Sequence, residues 1–200
     1  MQFHPGAKPE FVHRVEARLE QLRTELPPVL PPPPAAITLE IGCGHGHFLT
    51  RFAEAHPERF CLGIDILSDR LERANKKRNR AGLTNVRFHK VEAVELLECL
   101  PAGITFEEVF LLFPDPWPKK RHHKNRLVRP DFLTSLAARM APGGRFYFRT
   151  DHAGYFADGR EVLEQHPRWR IVPSAPWPFE EPTVFQLKAP AYQSLVAVVG

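Results

Sequence analysis

Between Phe11 and Leu26 apolar residues return at three- and four-residue steps, through Val12, Val15, Leu19 and Leu22, with charges between them. That spacing lines one face of a helix, and Pro27 ends it. The prolines of 27–34 form a stiff extended spacer, so 1–36 reads as a helix and spacer preceding one domain, 37–200. From Ile37 onward short β-rich runs alternate with helical spacing. Strands are predicted over 37–41, 61–65, 86–91, 108–113, 145–149, 169–172 and 192–199, the last closing the sheet. Helices are predicted from about His47, from Ser68 with that serine as cap to a stop at Ala81-Gly82, over 131–140 with a stop at Ala141-Pro-Gly-Gly144, and over 155–165. Such alternation predicts an α/β fold: a mostly parallel seven-stranded sheet with helices on both faces.

The first strand runs straight into Gly42-Cys-Gly-His-Gly46 and then a helix, the front half of a Rossmann-like unit. Gly42, Gly44 and Gly46 let the backbone approach a ligand that a Cβ would push away. The spacing is GxGxG, not the GxGxxG of pyrophosphate binders, which counts against a nicotinamide dehydrogenase, and no GxxxxGK[ST] is present. Asp65 ends the second strand nineteen residues past Gly46, where a ribose diol needs a carboxylate acceptor. The third strand ends in Glu92-Ala93 and the fifth in Thr150-Asp151. The glycine loop, Asp65 and Glu92, at the ends of three successive strands, line the rim of one pocket.

Charge changes the picture at one place. Lys119, Lys120, Arg121, Lys124, Arg126 and Arg129 fall within eleven residues that contain no acid. They follow Phe113-Pro-Asp-Pro-Trp-Pro118, where three prolines halt any strand or helix and hold Asp115 and Trp117 at a strand end. The second basic cluster, Arg70 to Arg80, is diluted by Asp69 and Glu72 and reads as a solvated helix face. The formal charge of +4, 43% apolar and 25% charged residues are ordinary for a globular chain. With no apolar run of about 18 residues, no signal segment and three scattered cysteines, Cys43, Cys61 and Cys99, a cytoplasmic protein with reduced thiols is expected and no membrane partner. Cys43, His45 and His47 alternate as metal ligands do. They lie in or beside a loop that a cofactor needs, so no metal is expected.

The run Pro114-Asp-Pro-Trp-Pro-Lys-Lys-Arg-His122 resembles that of the bacterial tRNA (guanine-N(7)-)-methyltransferases, class I enzymes that use S-adenosylmethionine, and the resemblance extends from Leu39 to the end. It implies cofactor contacts at Glu40, Gly42, Gly44, Gly46, Asp65, Glu92, Ala93 and Asp115, with Asp115 also catalytic. It implies substrate or RNA contacts at Lys119, Arg121, His122, Lys124, Arg126, Asp151, Thr183 and Gln186. The implied activity is methylation of guanosine N7 in tRNA, by a monomer or homodimer. Four positions depart from the family pattern: Asp65 for Glu, Glu92-Ala93 for Asp-Ala, Asn125 for a second arginine, and Gln186 for Glu. A tRNA-binding protein of the same fold without catalysis is the alternative that Gln186 keeps open, and a methyltransferase acting on a small molecule is another, for which the basic run would have no use. If Gln186 weakens a guanosine contact, Gln186→Glu raises activity or leaves it unchanged.

Overall fold

The computed structural model describes residues 8–181, 186, 189 and 191–200. Among them seven strands form one sheet: β1 Ala35–Ile41, β2 Cys61–Asp65, β3 Val86–Lys90, β4 Ile104–Leu112, β5 Met140–Thr150, β6 Trp169–Ile171 and β7 Gln193–Val199. The helices are α1 Pro9–Glu25, α2 His47–Ala55, α3 Ser68–Arg80, α4 Ala93–Cys99, α5 Pro130–Ala137 and α6 Ala153–Gln165. The sheet order is β3-β2-β1-β4-β5-β7-β6. The first five strands pair in parallel, and β7 runs antiparallel to both β5 and β6.

Three expectations are corrected. The last strand does not close the sheet: β7, buried from Leu195 to Ala197, is inserted between β5 and the short edge strand β6. A long apolar strand belongs inside a sheet, and a three-residue strand leaves little unpaired edge. Gly143-Gly144 does not stop a helix that reaches Met140. Instead α5 ends at Ala137, and Met140 already pairs with Phe106 in β5. The two glycines lie where the β4–β5 register shifts between Phe106 and Glu108, with Gly143 at φ +72° and the Cβ position of Gly144 filled by neighbours. Ser68 does not cap α3, since Leu67 holds the cap position without a side-chain bond.

Parallel strands covered on both faces need two cores, and side chains along β4 and β5 alternate between them. Val109, Leu111, Phe146 and Phe148 face one core, which also takes Leu19, Leu22 and Leu26 of the N-terminal helix segment. Phe110 and Tyr147 face the other with Phe48 and Phe52, their own rings stacked at 4.7 Å and 11°. α1 fastens onto the third strand and α4: Arg18 donates to the Lys90 carbonyl at 3.0 Å, and Leu19 O lies 3.4 Å from the Cys99 thiol.

Candidate functional site

The strand register brings the predicted acids to one edge. Ile41 pairs with Ile64 and Leu111, Leu112 with Arg149, and Asp65 with Lys90. The glycine loop, Asp65, Glu92, Asp115 and Asp151 therefore all emerge at the carboxyl ends of β1 to β5, where open α/β sheets bind ligands.

The loop after β1 is held by its own backbone and by Asp65. Gly42 N and Cys43 N donate to Ile64 O at 2.8 and 2.9 Å, and Gly44 N donates to Asp65 Oδ2 at 3.0 Å. Oδ1 accepts from Leu67 N at 2.9 Å, and Arg70 lies 3.7 Å from Oδ2. Asp65 is thus the latch of the loop, and each oxygen keeps a second lone pair for a ligand. Gly42, Gly44 and Gly46 have φ of +71°, +53° and +66°. Their roles differ: a Cβ on Gly44 would meet only open space, whereas one on Gly46 would strike Phe88 and Ala74 within 3 Å. Gly44 keeps a cradle clear, and Gly46 lets helix and strand pack.

Glu40 lies beside that cradle, 3% exposed, and its Oε2 has no hydrogen-bond partner among the described residues. Burial raises its carboxyl to about 8, and the charge of Asp65 adds to the rise. A buried, unsatisfied carboxyl beside an open glycine cradle fits a cofactor with a cationic amine. At the rim Glu92 holds the N-cap position of α4 and is also raised, by partial loss of water and then by Glu95, while Ala93 is buried. Cys43 is pushed up well above an ordinary thiol, first by burial and then by Glu40 and Asp65, so it stays protonated and is a poor metal ligand. Sequence reasoning missed Ile66, an apolar side chain 62% exposed directly after Asp65. Its signal was an apolar pair, Ile66-Leu67, placed where a strand had just ended.

Beyond β4 the backbone turns sharply. Phe113 and Trp117 take φ of +49° and +45°, the left-handed region that bulky residues avoid at a cost of about 1–3 kcal/mol each. Phe113 N donates to Arg149 O at 2.8 Å. Between them Asp115 is exposed and makes no hydrogen bond or ion pair among the described residues. Trp117 is 36% exposed, its ring edge-on to His122 at 5.9 Å, so it is not a core indole. Lys120–Asn125 then forms a short 3-10 segment carrying Lys120, Arg121 and Lys124 outward, with Lys119 exposed just before it. His122 accepts from Arg121 Nε at 3.2 Å.

Arg126 does not belong with those cations, which corrects its place in the RNA-binding set. It is 3% exposed: Nε donates to Pro116 O at 2.8 Å, Nη1 pairs with Asp158, and the guanidinium sits 4.9 Å from the Tyr155 ring. The Tyr155 hydroxyl in turn accepts from Leu127 N and Val128 N. Arg126 pins the Pro114–Pro118 turn to α6.

Asp151 is exposed one residue past β5. Thr183 lies outside the described residues. Gln186 is within them, and its side chain meets Arg149 and Tyr192.

A sequence profile of the putative methyltransferase family matches residues 34–192. A tRNA (guanine-N(7)-)-methyltransferase of Halorhodospira halophila is 42% identical over 131 residues, 66% of this chain and 57% of that protein. One of Syntrophotalea carbinolica is 44% identical over 119 residues, 60% of this chain and 51% of that protein. The chain therefore spans little more than half the length of these relatives. An rRNA methylase structure from Streptococcus thermophilus superposes with a TM-score of 0.56 over 98% of this chain and 99% of that one, at 12% identity, a likeness of fold.

Proposed function

The chain belongs to the putative methyltransferase family, and from that premise we propose that it methylates N7 of a guanosine in tRNA, in the variable loop by analogy with the family, using S-adenosylmethionine. The observation that carries this reading is the strained turn of Phe113 to Trp117, which presents Asp115, without a partner among the described residues, at the edge where the glycine cradle opens and sends an acid-free basic segment outward.

The cofactor supplies a methyl group on a cationic sulfur. Guanine N7 carries a free lone pair, so no proton has to leave, and the protein's task is orientation and charge stabilisation. Gly44 leaves space for the cofactor, Asp65 has lone pairs for a diol, and Glu40 ionises against an amine. Exposed Ile66 offers an apolar face to a flat ring. Asp115 and Asp151 favour the positive charge that the purine acquires. Lys119, Lys120, Arg121 and Lys124 meet phosphates, giving affinity without sequence reading, and exposed Trp117 offers a stacking surface. The buried thiols of Cys43, Cys61 and Cys99 suit a reducing cytoplasm.

Incubating the purified protein with unmodified tRNA and labelled cofactor, followed by nucleoside analysis, tests this. Label is expected in 7-methylguanosine, and Asp115→Asn, which keeps shape and removes charge, is expected to lower turnover by about 10² with tRNA affinity nearly intact. Label in another nucleoside, or in none, overturns the substrate assignment. Full activity in Asp115→Asn removes that residue from the mechanism.

A further inference from the structure

Arg149, near the end of β5, is 4% exposed and engages the segment that connects β6 to β7. Its Nη1 and Nη2 donate to the two carboxylate oxygens of Glu180 at 2.9 and 2.8 Å, a bidentate pair. Nη1 also donates to Gln186 Oε1 at 3.2 Å, and Nε to Ser194 Oγ at 2.8 Å. Its guanidinium carbon is 3.9 Å from the Trp177 ring centroid and 4.8 Å from that of Tyr192. Gln186 completes the assembly by donating through Nε2 to the Tyr192 hydroxyl at 3.2 Å.

We propose that Arg149 is a clamp with room for one carboxylate, and that Gln186 is a positioning residue of that clamp rather than a weakened substrate ligand. Glu180 already neutralises the cation. An amide at 186 accepts from Arg149 with one end and donates with the other, which a carboxylate cannot do. Gln186 also hydrogen-bonds Glu180, helping to keep that carboxyl below its ordinary range, an effect led by the bond from Arg149. A glutamate at 186 would put a second anion against Glu180 beside one buried cation. The clamped segment leaves β6 and enters β7 at the edge that carries Asp151, since Thr150 pairs with Gln193. The clamp therefore sets how that segment borders the site. The amide is then no sign of lost catalysis. This assignment rests on the guanosine-methylating reading for its kinetic effect, though not for its structural one.

The test is a charge-exchange cycle of Gln186→Glu, Glu180→Gln and both together, read by tRNA-methylation kinetics, melting temperature and the rate of proteolytic cleavage within 173–192. Each single variant is expected to raise KM for tRNA about tenfold with kcat changed far less, and to hasten cleavage. The double variant restores one anion to one cation and is expected to recover most of both losses, a coupling within the range for contacting residues. A Gln186→Glu protein that is as active as wild type or more so, or a double variant no better than the sum of the singles, overturns the clamp. Should wild type methylate no RNA, the substrate reading fails, and melting and cleavage still decide the clamp.

Discussion

At the scale of single residues, Glu40 separates what chemistry needs from what stability prefers. Its folded value of about 8 lies above the roughly 4.3 of an unfolded glutamate. The folded state therefore holds its proton more tightly, and the associated stability is complete below about pH 4.3 and is lost as pH rises toward 8. Glu40→Gln keeps shape and abolishes that slope. Melting temperatures are expected to match wild type at pH 5 and exceed it at pH 8, while cofactor affinity drops because the charge that would meet an amine is gone. Parallel melting curves across that range would show that Glu40 is ionised throughout. The sequence showed Asp65 and the three glycines as a group, because strand, loop and downstream acid have a fixed spacing, and Glu40 joined them only through the family resemblance. It did not show that Asp65 latches the loop, or that Gly42 and Gly44 face open space while Gly46 does not. Those distinctions come from Phe88 and Ala74, which chain spacing does not bring near.

The basic run shows the same limit for an element. Six cations in eleven residues look alike in sequence, yet the fold divides them: the 3-10 segment turns Lys120, Arg121 and Lys124 to solvent and sinks Arg126 onto Tyr155 and Asp158. Burial of Arg126 depends on a helix about thirty residues further on, so no local pattern reveals it. Two sets of variants separate the roles. Replacing Lys120, Arg121 and Lys124 together is expected to lower the slope of log affinity against log salt by about two to three, with melting unchanged. Arg126→Lys keeps the charge but loses the planar fork, so melting temperature and turnover are expected to fall with the salt slope intact. A reduced salt slope in Arg126→Gln, which removes the charge, would return that residue to the RNA surface. The strands themselves were legible because buried parallel strands are written as continuous apolar runs. The start of β5 was not, because Gly143-Gly144 reads as a stop and serves as a bulge.

For the whole molecule, local pattern gives seven strands and their order in the chain, but not which neighbours β7 chooses. That choice depends on pairing both with β5 over Arg145 to Thr150 and with β6 over Trp169 to Ile171, contacts that exist only once the sheet is assembled. The N-terminal helix poses the same question, since an amphipathic stripe says that something is covered without saying what. In the structure Leu22 and Leu26 are wholly buried in the core that holds Ile37, Val109 and Leu111, and Arg18 ties α1 to the end of β3, two residues before Glu92. Leu22→Ala should therefore act as a core truncation, costing about 2–5 kcal/mol through lost apolar transfer and the cavity left behind. Because Leu22 touches neither cradle nor basic segment, cofactor and tRNA affinities measured well below the melting point are expected to stay near wild type. Urea unfolding decides it. A lower midpoint with unchanged slope and a loss in that range fits a helix folded with the sheet as one unit. A loss below 1 kcal/mol, or a separate early transition, would make α1 an appendage that the methyltransferase core does not need.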